Sequence, residues 1–449
     1  MRTIKLLLFL VMIFFCGNIN IVKADESSLL LLEYKKKAIS YLQNTYDSLD
    51  IMYNQRFVDM TIGQDATINK TPVYYDAVKG LWELQELTHD RTGLTAEEIA
   101  LLDQIPGYIE KSKKIIAQRY IQSLVGGGGY QAFPHGLGYL YQSTGDTEAL
   151  AGLVDLRNEG NWVTGFNPNR EDIVYTRDSA YSLQVGITAK KLGINITAGM
   201  SEGELMNNYL EVVLSHLDQW HTGNFLDFGY TPSKYRSSFM TGLTMNALIE
   251  YYERINPDPR IPVAVKNVLD DLWVTVWHPD VTNPSPQTLG DAQSYVTMNP
   301  GGAFWTWADW VDGQYVIDRD HNPSSIDVGA IHNSIIGQAY AWYATISNDE
   351  AYNNKAVDIF NGAVANLPIG NGEGQFFEGI RYGNDLIKWH RKFYNTPCSN
   401  SAIEQCITQS ACEIAGGNWT GEWCQHAPVA VMSVIDDTSP SAPSGLNVL

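Results

Sequence analysis

The sequence predicts an all-α fold, an α/α toroid of helical hairpins, and three observations carry that reading. Apolar residues between residues 27 and 394 recur at helical spacing, with almost no sustained alternation of the strand type. The helices so defined alternate in character, one apolar on most sides and the next amphipathic. The turn joining each apolar helix to its amphipathic successor recurs in nearly the same residue types.

Taken in order, the periodicity gives twelve helices, over residues 27–49, 72–88, 95–124, 134–143, 147–158, 175–192, 201–219, 236–255, 261–277, 328–346, 349–366 and 383–394. The apolar ones interleave Gly, Ala and Ser with aromatics, as in Ala77-Val-Lys-Gly-Leu-Trp82, His135-Gly-Leu-Gly-Tyr-Leu-Tyr141, Phe239-Met-Thr-Gly-Leu-Thr-Met-Asn-Ala247 and Ile335-Ile-Gly-Gln-Ala-Tyr-Ala-Trp342. Small residues let helix backbones approach closely, so these helices belong inside. Glu204-Leu-Met-Asn-Asn-Tyr-Leu-Glu-Val-Val-Leu214 has one wet face and belongs to an outer layer.

Turns such as Leu87-Thr-His-Asp90, Ser143-Thr-Gly-Asp146, Leu192-Gly-Ile-Asn195, Ile255-Asn-Pro-Asp258 and Ile346-Ser-Asn-Asp349 follow the apolar helices. Gly or Asn suits a left-handed C-terminal cap, and Ser, Thr or Asp then caps the next helix. Thr95-x-x-Glu98, Ser201-x-x-Glu204 and Ser347-x-x-Glu350 have capping-box spacing, and Pro262 fits a first helical turn. Successive turns lie roughly 48 to 92 residues apart, against the fixed period of an open solenoid and for about six hairpins closed into a ring.

The flanking segments differ. Arg2 and Lys5 precede an apolar run, Leu6 to Phe15, and Val22-Lys23-Ala24 offers small residues at cleavage-type positions. Residues 1–24 therefore read as a secretory signal, and the run is well short of the ~20 residues of a membrane span. Bulky Phe15 before Cys16 argues against a lipid anchor. The expected location is outside the cytoplasm, secreted, at the cell surface or periplasmic, with no stable membrane insertion. Removing the signal takes three cations and no anion from a net charge of −20, leaving −23, which repels nucleic acid and anionic lipid.

The helical domain is expected over 25–395 and a cysteine-rich segment over 396–426. Cys398, Cys406, Cys412 and Cys424 all lie there; an even count in an exported chain most simply makes two disulfides, and three pairings stay open. Without a C-x2-C pair, zinc is disfavoured. Residues 427–449 read as a Pro/Ser linker whose last residues resemble the opening of a fibronectin type III domain, which points to further modules of a longer chain.

Alternating hairpins, Gly-rich aromatic inner helices and turns like Ser143-Thr-Gly-Asp146 together resemble the six-hairpin glycosidase-like group. These are the (α/α)6 toroids of many glycoside hydrolases, polysaccharide lyases and sugar epimerases. The resemblance covers residues 27–394 in layout and carries no single family's catalytic motif. It implies a carbohydrate substrate.

Connection lengths locate the expected site. Those from inner to outer helices are about two to eight residues, whereas those from outer to inner are about nine to sixteen, and one, residues 278–327, is about fifty. The face with long connections should hold the site, ringed by the starts of inner helices. Those starts carry Tyr74-Tyr75-Asp76, His135, Tyr175, Arg177, Asp178, Tyr235, Arg236, Asp327, His332 and Glu378-Gly-Ile-Arg381-Tyr382.

Inverting hydrolysis of a glycosidic bond needs one protonated and one ionised carboxyl, and Asp178, Asp327 and Glu378 are the candidates. Elimination on a uronate polymer would instead draw on Tyr175, Tyr235 or His332 as base, with Arg177 or Arg236 neutralising the carboxylate. Trp305 and Trp307, with Trp310, offer planes for sugar stacking, and Arg381 and Tyr382 complete the expected substrate contacts. The third reading is a non-catalytic surface module that binds glycan or protein. No cofactor is expected; Asp309, Asp312, Asp318 and Asp320 offer oxygens for a structural calcium without the full EF-hand pattern. Gly126 to Gly129 lack the Lys-Ser/Thr of a phosphate loop, and His216 and His221 lack a zincin partner.

Overall fold

The computed structural model describes residues 29–54, 76–121, 132–159, 174–194, 202–222, 225–226, 232–233, 235–279, 301–304, 307–311, 314–316, 330–366, 376–394, 412–413, 417–419 and 424–426, a few of them at segment edges by backbone alone. The protein is an all-α, multi-helix domain. Its helices are α1 (Leu31–Ser40), α2 (Leu42–Asn54), α3 (Ala77–Leu87), α4 (Ala96–Leu102), α5 (Ile105–Ile121), α6 (Pro134–Thr144), α7 (Thr147–Glu159), α8 (Val174–Lys191), α9 (Glu202–Thr222), α10 (Ser238–Arg254), α11 (Arg260–Thr275), α12 (Ala330–Ser347), α13 (Glu350–Asn366) and α14 (Phe376–Phe393). Only Tyr41 divides α1 from α2, and only Asp103 and Gln104 divide α4 from α5, so these fourteen segments among the described residues act as twelve rods.

Three helices differ most from the sequence expectation. The rods expected over 27–49 and 95–124 are each broken once, and the last begins at Phe376 rather than at residue 383. That earlier start places Glu378, Arg381 and Tyr382 inside α14 instead of on the loop before it.

The corner at Ser347 departs from the expected capping box: its hydroxyl donates to Tyr343 O at 2.6 Å, and Asp349 accepts from Ala351 N at 2.9 Å to open α13, because Ser347 is still the last residue of α12. Two other corners follow the sequence. Gly145 is left-handed at φ 71°, its N–H donates to Tyr141 O at 2.8 Å, and Asp146 Oδ1 accepts from Ala149 N at 2.8 Å to open α7. Thr95 and Glu98 make the reciprocal capping box of α4.

Burial separates two kinds of helix. Nearly every described side chain of α3, α6, α10, α12 and α14 is buried or half-buried, whereas α11 and α13 show one wet face. The buried helices pack in sequence: α3 on α6, α6 on α8, α8 on α10, α10 on α12, α12 on α14, and α14 again on α3. Small residues set these approaches. A Cβ at Gly80 would lie 2.4 Å from Phe377 Cδ1, and one at Gly242 would lie 2.3 Å from Ile335 Cγ2. The amphipathic helices lie against them, α7 on α6, α9 on α8, α11 on α12 and α13 on α12.

Short antiparallel strands interrupt the helical pattern: β1 (Phe225–Leu226) pairs with β2 (Pro232–Ser233), and β4 (Trp277–His278) with β5 (Ala303–Phe304), while five further strands make two more sheets among the described residues. Of these, β3 (Tyr235–Ser237), β6 (Trp307–Val311) and β7 (Gln314–Val316) form one sheet, with Ser237 opposite Trp307 and Tyr235 opposite Asp309. The long connection before α12 is thereby tied by its backbone to the entry of α10. Another pair, β8 (Gly417–Trp419) and β9 (Cys424–His426), carries the Cys412–Cys424 disulfide; Cys398 and Cys406 lie outside the described residues. Among the described residues, no helix is long and apolar enough to cross a membrane.

Candidate functional site

A run of titratable side chains occupies the interior between α3, α6, α8, α10 and α14. It is built from α14, where Glu378, Arg381, Tyr382, Asp385 and Lys388 recur at three- and four-residue steps and so share one face. Glycines on the opposite side let that helix sit close: a Cβ at Gly383 would lie 2.1 Å from Tyr34 Oη.

Glu378 stands in the first turn of α14 with 3% exposure. Tyr181 of α8 donates its hydroxyl to Glu378 Oε1 at 3.4 Å, and Oε2 has no hydrogen-bond partner among the described residues. Burial raises its pKa from 4.5 to about 8, against the pull of Arg381, the Tyr181 hydrogen bond and Arg177. The carboxyl is therefore neutral at pH 7 and able to donate a proton.

One turn deeper, Arg381 reaches α6 and α10. Its Nη2 lies 3.0 Å from His135 Nε2 and 3.9 Å from Glu250 Oε2. His135 Nε2 is 2.8 Å and 3.0 Å from the two Glu250 oxygens, and Arg254 also donates to that carboxylate. Burial and the Arg381 charge push His135 down to about 4, so the ring is neutral. Glu250 is held below the usual carboxylate range by His135, Arg254 and Arg381, although burial opposes them. Nε2 thus faces two neighbours with opposite demands, a carboxylate that needs a donor and a guanidinium that needs an acceptor; the closer, two-oxygen contact with the Glu250 anion puts the ring proton on Nε2, so Nδ1 bears the lone pair and Arg381 Nη2 touches the ring without a hydrogen bond to it.

Asp76 joins this layer from α3. It is the N-cap, at φ 42°, with Oδ1 accepting from Lys79 N at 3.0 Å and Oδ2 from Gly136 N at 2.9 Å. One carboxylate thus caps α3 and braces the first turn of α6, which fixes His135 beside it. Deeper still, Glu83 accepts from Lys79, Asn384 and Lys388 in a buried network between α3 and α14.

The sequence-derived candidates divide as follows. Glu378, Arg381 and Tyr382 meet in the interior, with Arg177 close enough to act on Glu378 electrostatically. Asp178 is in the same helix as Tyr181, one turn earlier on the same face, its Oδ1 3.6 Å from Arg177 Nε and its side chain 21% exposed. His332 is on the first turn of α12, buried and pushed down to about 4 by that burial, its ring 5.8 Å from Phe239 of α10. Tyr175, Tyr235, Arg236 and Trp307 are described by backbone alone, the first in α8, the next two in β3 and the last in β6. Asp327 and Trp305 lie outside the described residues.

Glu250 and Tyr181 carry roles that sequence reading assigned to neither. Glu250 sits in an apolar context, Leu248-Ile249 before and Tyr251-Tyr252 after, where a lone acidic residue reads as the wet side of a helix. Among the described residues, no group of three or more His, Cys, Asp or Glu is placed to hold a metal ion.

Comparison with family models, with curated proteins and with solved structures returns no match for this chain. The functional reading therefore rests on the geometry of the interior.

Proposed function

We propose that this protein is an exported carbohydrate-active enzyme, an (α/α)6 toroid that hydrolyses a glycosidic bond with Glu378 as general acid and Asp178 as its ionised partner. The single observation that carries the reading is the Glu378 carboxyl, buried, held neutral, and with Oε2 unpartnered among the described residues. A toroid is supported by the packing order of the six buried helices, in which the last returns to the first.

In this reading Glu378 gives its proton to the leaving oxygen as the bond from the anomeric carbon breaks. Asp178, paired with Arg177 and nearer to solvent, takes a proton from the water that attacks that carbon. Tyr181 links the two, reaching Glu378 from the helix that carries Asp178.

The test is a glycan panel read for new reducing ends and for absorbance of an unsaturated product. Hydrolysis without that absorbance is expected, reduced about a thousandfold or more in Glu378→Gln and Asp178→Asn. Cleavage that survives Glu378→Gln would remove the assignment. An unsaturated product would replace it with elimination, and binding with neither product would mark a non-catalytic module.

A further inference from the structure

Among the buried polar atoms of the interior that have no hydrogen-bond partner among the described residues are Glu378 Oε2, His135 Nδ1 and Arg381 Nε. Their residues are 3%, 5% and 8% exposed. Buried polar groups in folded proteins are overwhelmingly paired, so three orphans in one neighbourhood mark a place that a ligand completes. They are neighbours by construction, since Arg381 follows Glu378 by one turn of α14 and its guanidinium touches the His135 ring. Deeper along the same helix, Lys79, Glu83, Asn384 and Lys388 satisfy one another and leave no such atom, which sets a floor.

The chemistry of the three atoms defines what fits. His135 Nδ1 accepts, because Glu250 holds the ring proton on Nε2. Arg381 Nε donates, and the Glu378 carboxyl donates from Oε2. Both signs of charge already surround them: Arg381 and Arg254 face Glu250, Asp76 and Asp385 act on Arg381, and Arg177 acts on Glu378. An incoming carboxylate would meet the carboxylates of Glu250 and Asp76, whereas a hydroxyl can donate to His135 Nδ1 and accept from Arg381 Nε together. The rise from Glu378 to Arg381 is about 4.5 Å, the reach of one sugar ring.

We propose that Glu378 Oε2, His135 Nδ1 and Arg381 Nε form a hydroxyl-recognition subsite for a single neutral sugar ring, with Glu250 as the positioning residue that fixes the His135 tautomer. The inference rests on the carbohydrate reading above and names its substrate class. Monosaccharides have no glycosidic bond to cleave, so calorimetric titration of the unaltered protein with glucose, galactose, mannose and xylose, beside glucuronate and galacturonate, tests it directly.

At least one neutral sugar should bind in the millimolar range and its uronate about tenfold more weakly. His135→Gln and Glu250→Gln should each weaken the neutral sugar about tenfold while the far-ultraviolet circular dichroism stays that of the parent. A uronate binding better than its neutral counterpart, no sugar binding at all, or full affinity in folded His135→Gln protein would each overturn the subsite. The hydrolytic assignment fails separately, through cleavage that persists in Glu378→Gln protein that still binds the neutral sugar.

Discussion

Glu378 is held neutral by its surroundings, and that has a consequence for stability as well as chemistry. The folded carboxyl keeps its proton up to about pH 8, whereas an unfolded one loses it near 4.5. Between those values the unfolded chain binds fewer protons, so stability falls as pH rises through the window. Glu378→Gln keeps the shape and removes the titration. At about 1.4 kcal/mol per pKa unit, the variant should be more stable than the parent by about 4 kcal/mol at pH 8 and equal to it well below pH 4.5. Thermal melts at the two pH values decide this; the same shift at both would mean that the carboxyl is not held neutral. His135 and His332 act in the opposite sense. Burial lowers both to about 4 from 6.5, so their contribution is complete above 6.5 and lost as pH falls through 4.

At the scale of elements, the brace between α3 and α6 decides where His135 stands. Gly136 donates its N–H to Asp76 Oδ2, and a Cβ there would lie 2.3 Å from Asp76 Oδ1 and 2.7 Å from Lys79 N. Gly136→Ala must push two helix starts apart and should cost about 3 kcal/mol. Gly145 makes a useful contrast, since it is left-handed at φ 71° but has nothing within 4 Å of its would-be Cβ. Gly145→Ala should cost only about 1 kcal/mol of backbone strain. Urea unfolding of the pair ranks them, and a Gly145→Ala that cost more than Gly136→Ala would refute the brace.

These two glycines also show what was legible in the sequence. The corner at Ser143-Thr-Gly-Asp146 follows from local turn chemistry, which a sequence carries whole. The brace depends on Asp76 and Gly136 meeting across 60 positions, which local pattern does not encode. The early start of α14 was hidden for a similar reason: Gly379 and Gly383 weaken its helical pattern, and the packing of Phe377 on Gly80 and of Tyr34 on Gly383 overrides that propensity. Of the site, the sequence pointed to Glu378, Arg381 and Tyr382 as inner-helix starts. It did not reveal Glu250, whose partners come from α6 and α14.

For the molecule as a whole, α1 ties the first described segment to the last long helices. Leu30 N donates to Asn361 Oδ1 at 3.1 Å, and Lys37 Nζ donates to Val364 O at 2.5 Å and Ala365 O at 3.2 Å, at the end of α13. Tyr34 is fully buried, donates its hydroxyl to Gly379 O at 3.1 Å, and packs its ring 5.0 Å from Phe360. The bond from Tyr34 spans 345 positions and lands one residue from Glu378. Contacts of such separation form only once the intervening chain is in place, so the helix carrying the acid should be held by one of the last associations to form. Tyr34→Ala removes a buried ring and a hydrogen bond and should cost about 3–5 kcal/mol. Its effect should also be non-local: amide hydrogen exchange should rise in α14 around Glu378 together with α1, because the two share one interface. Exchange rising over residues 31–40 alone would mean that α14 keeps its order without α1, and that the acid is positioned by α3, α8 and α12 instead.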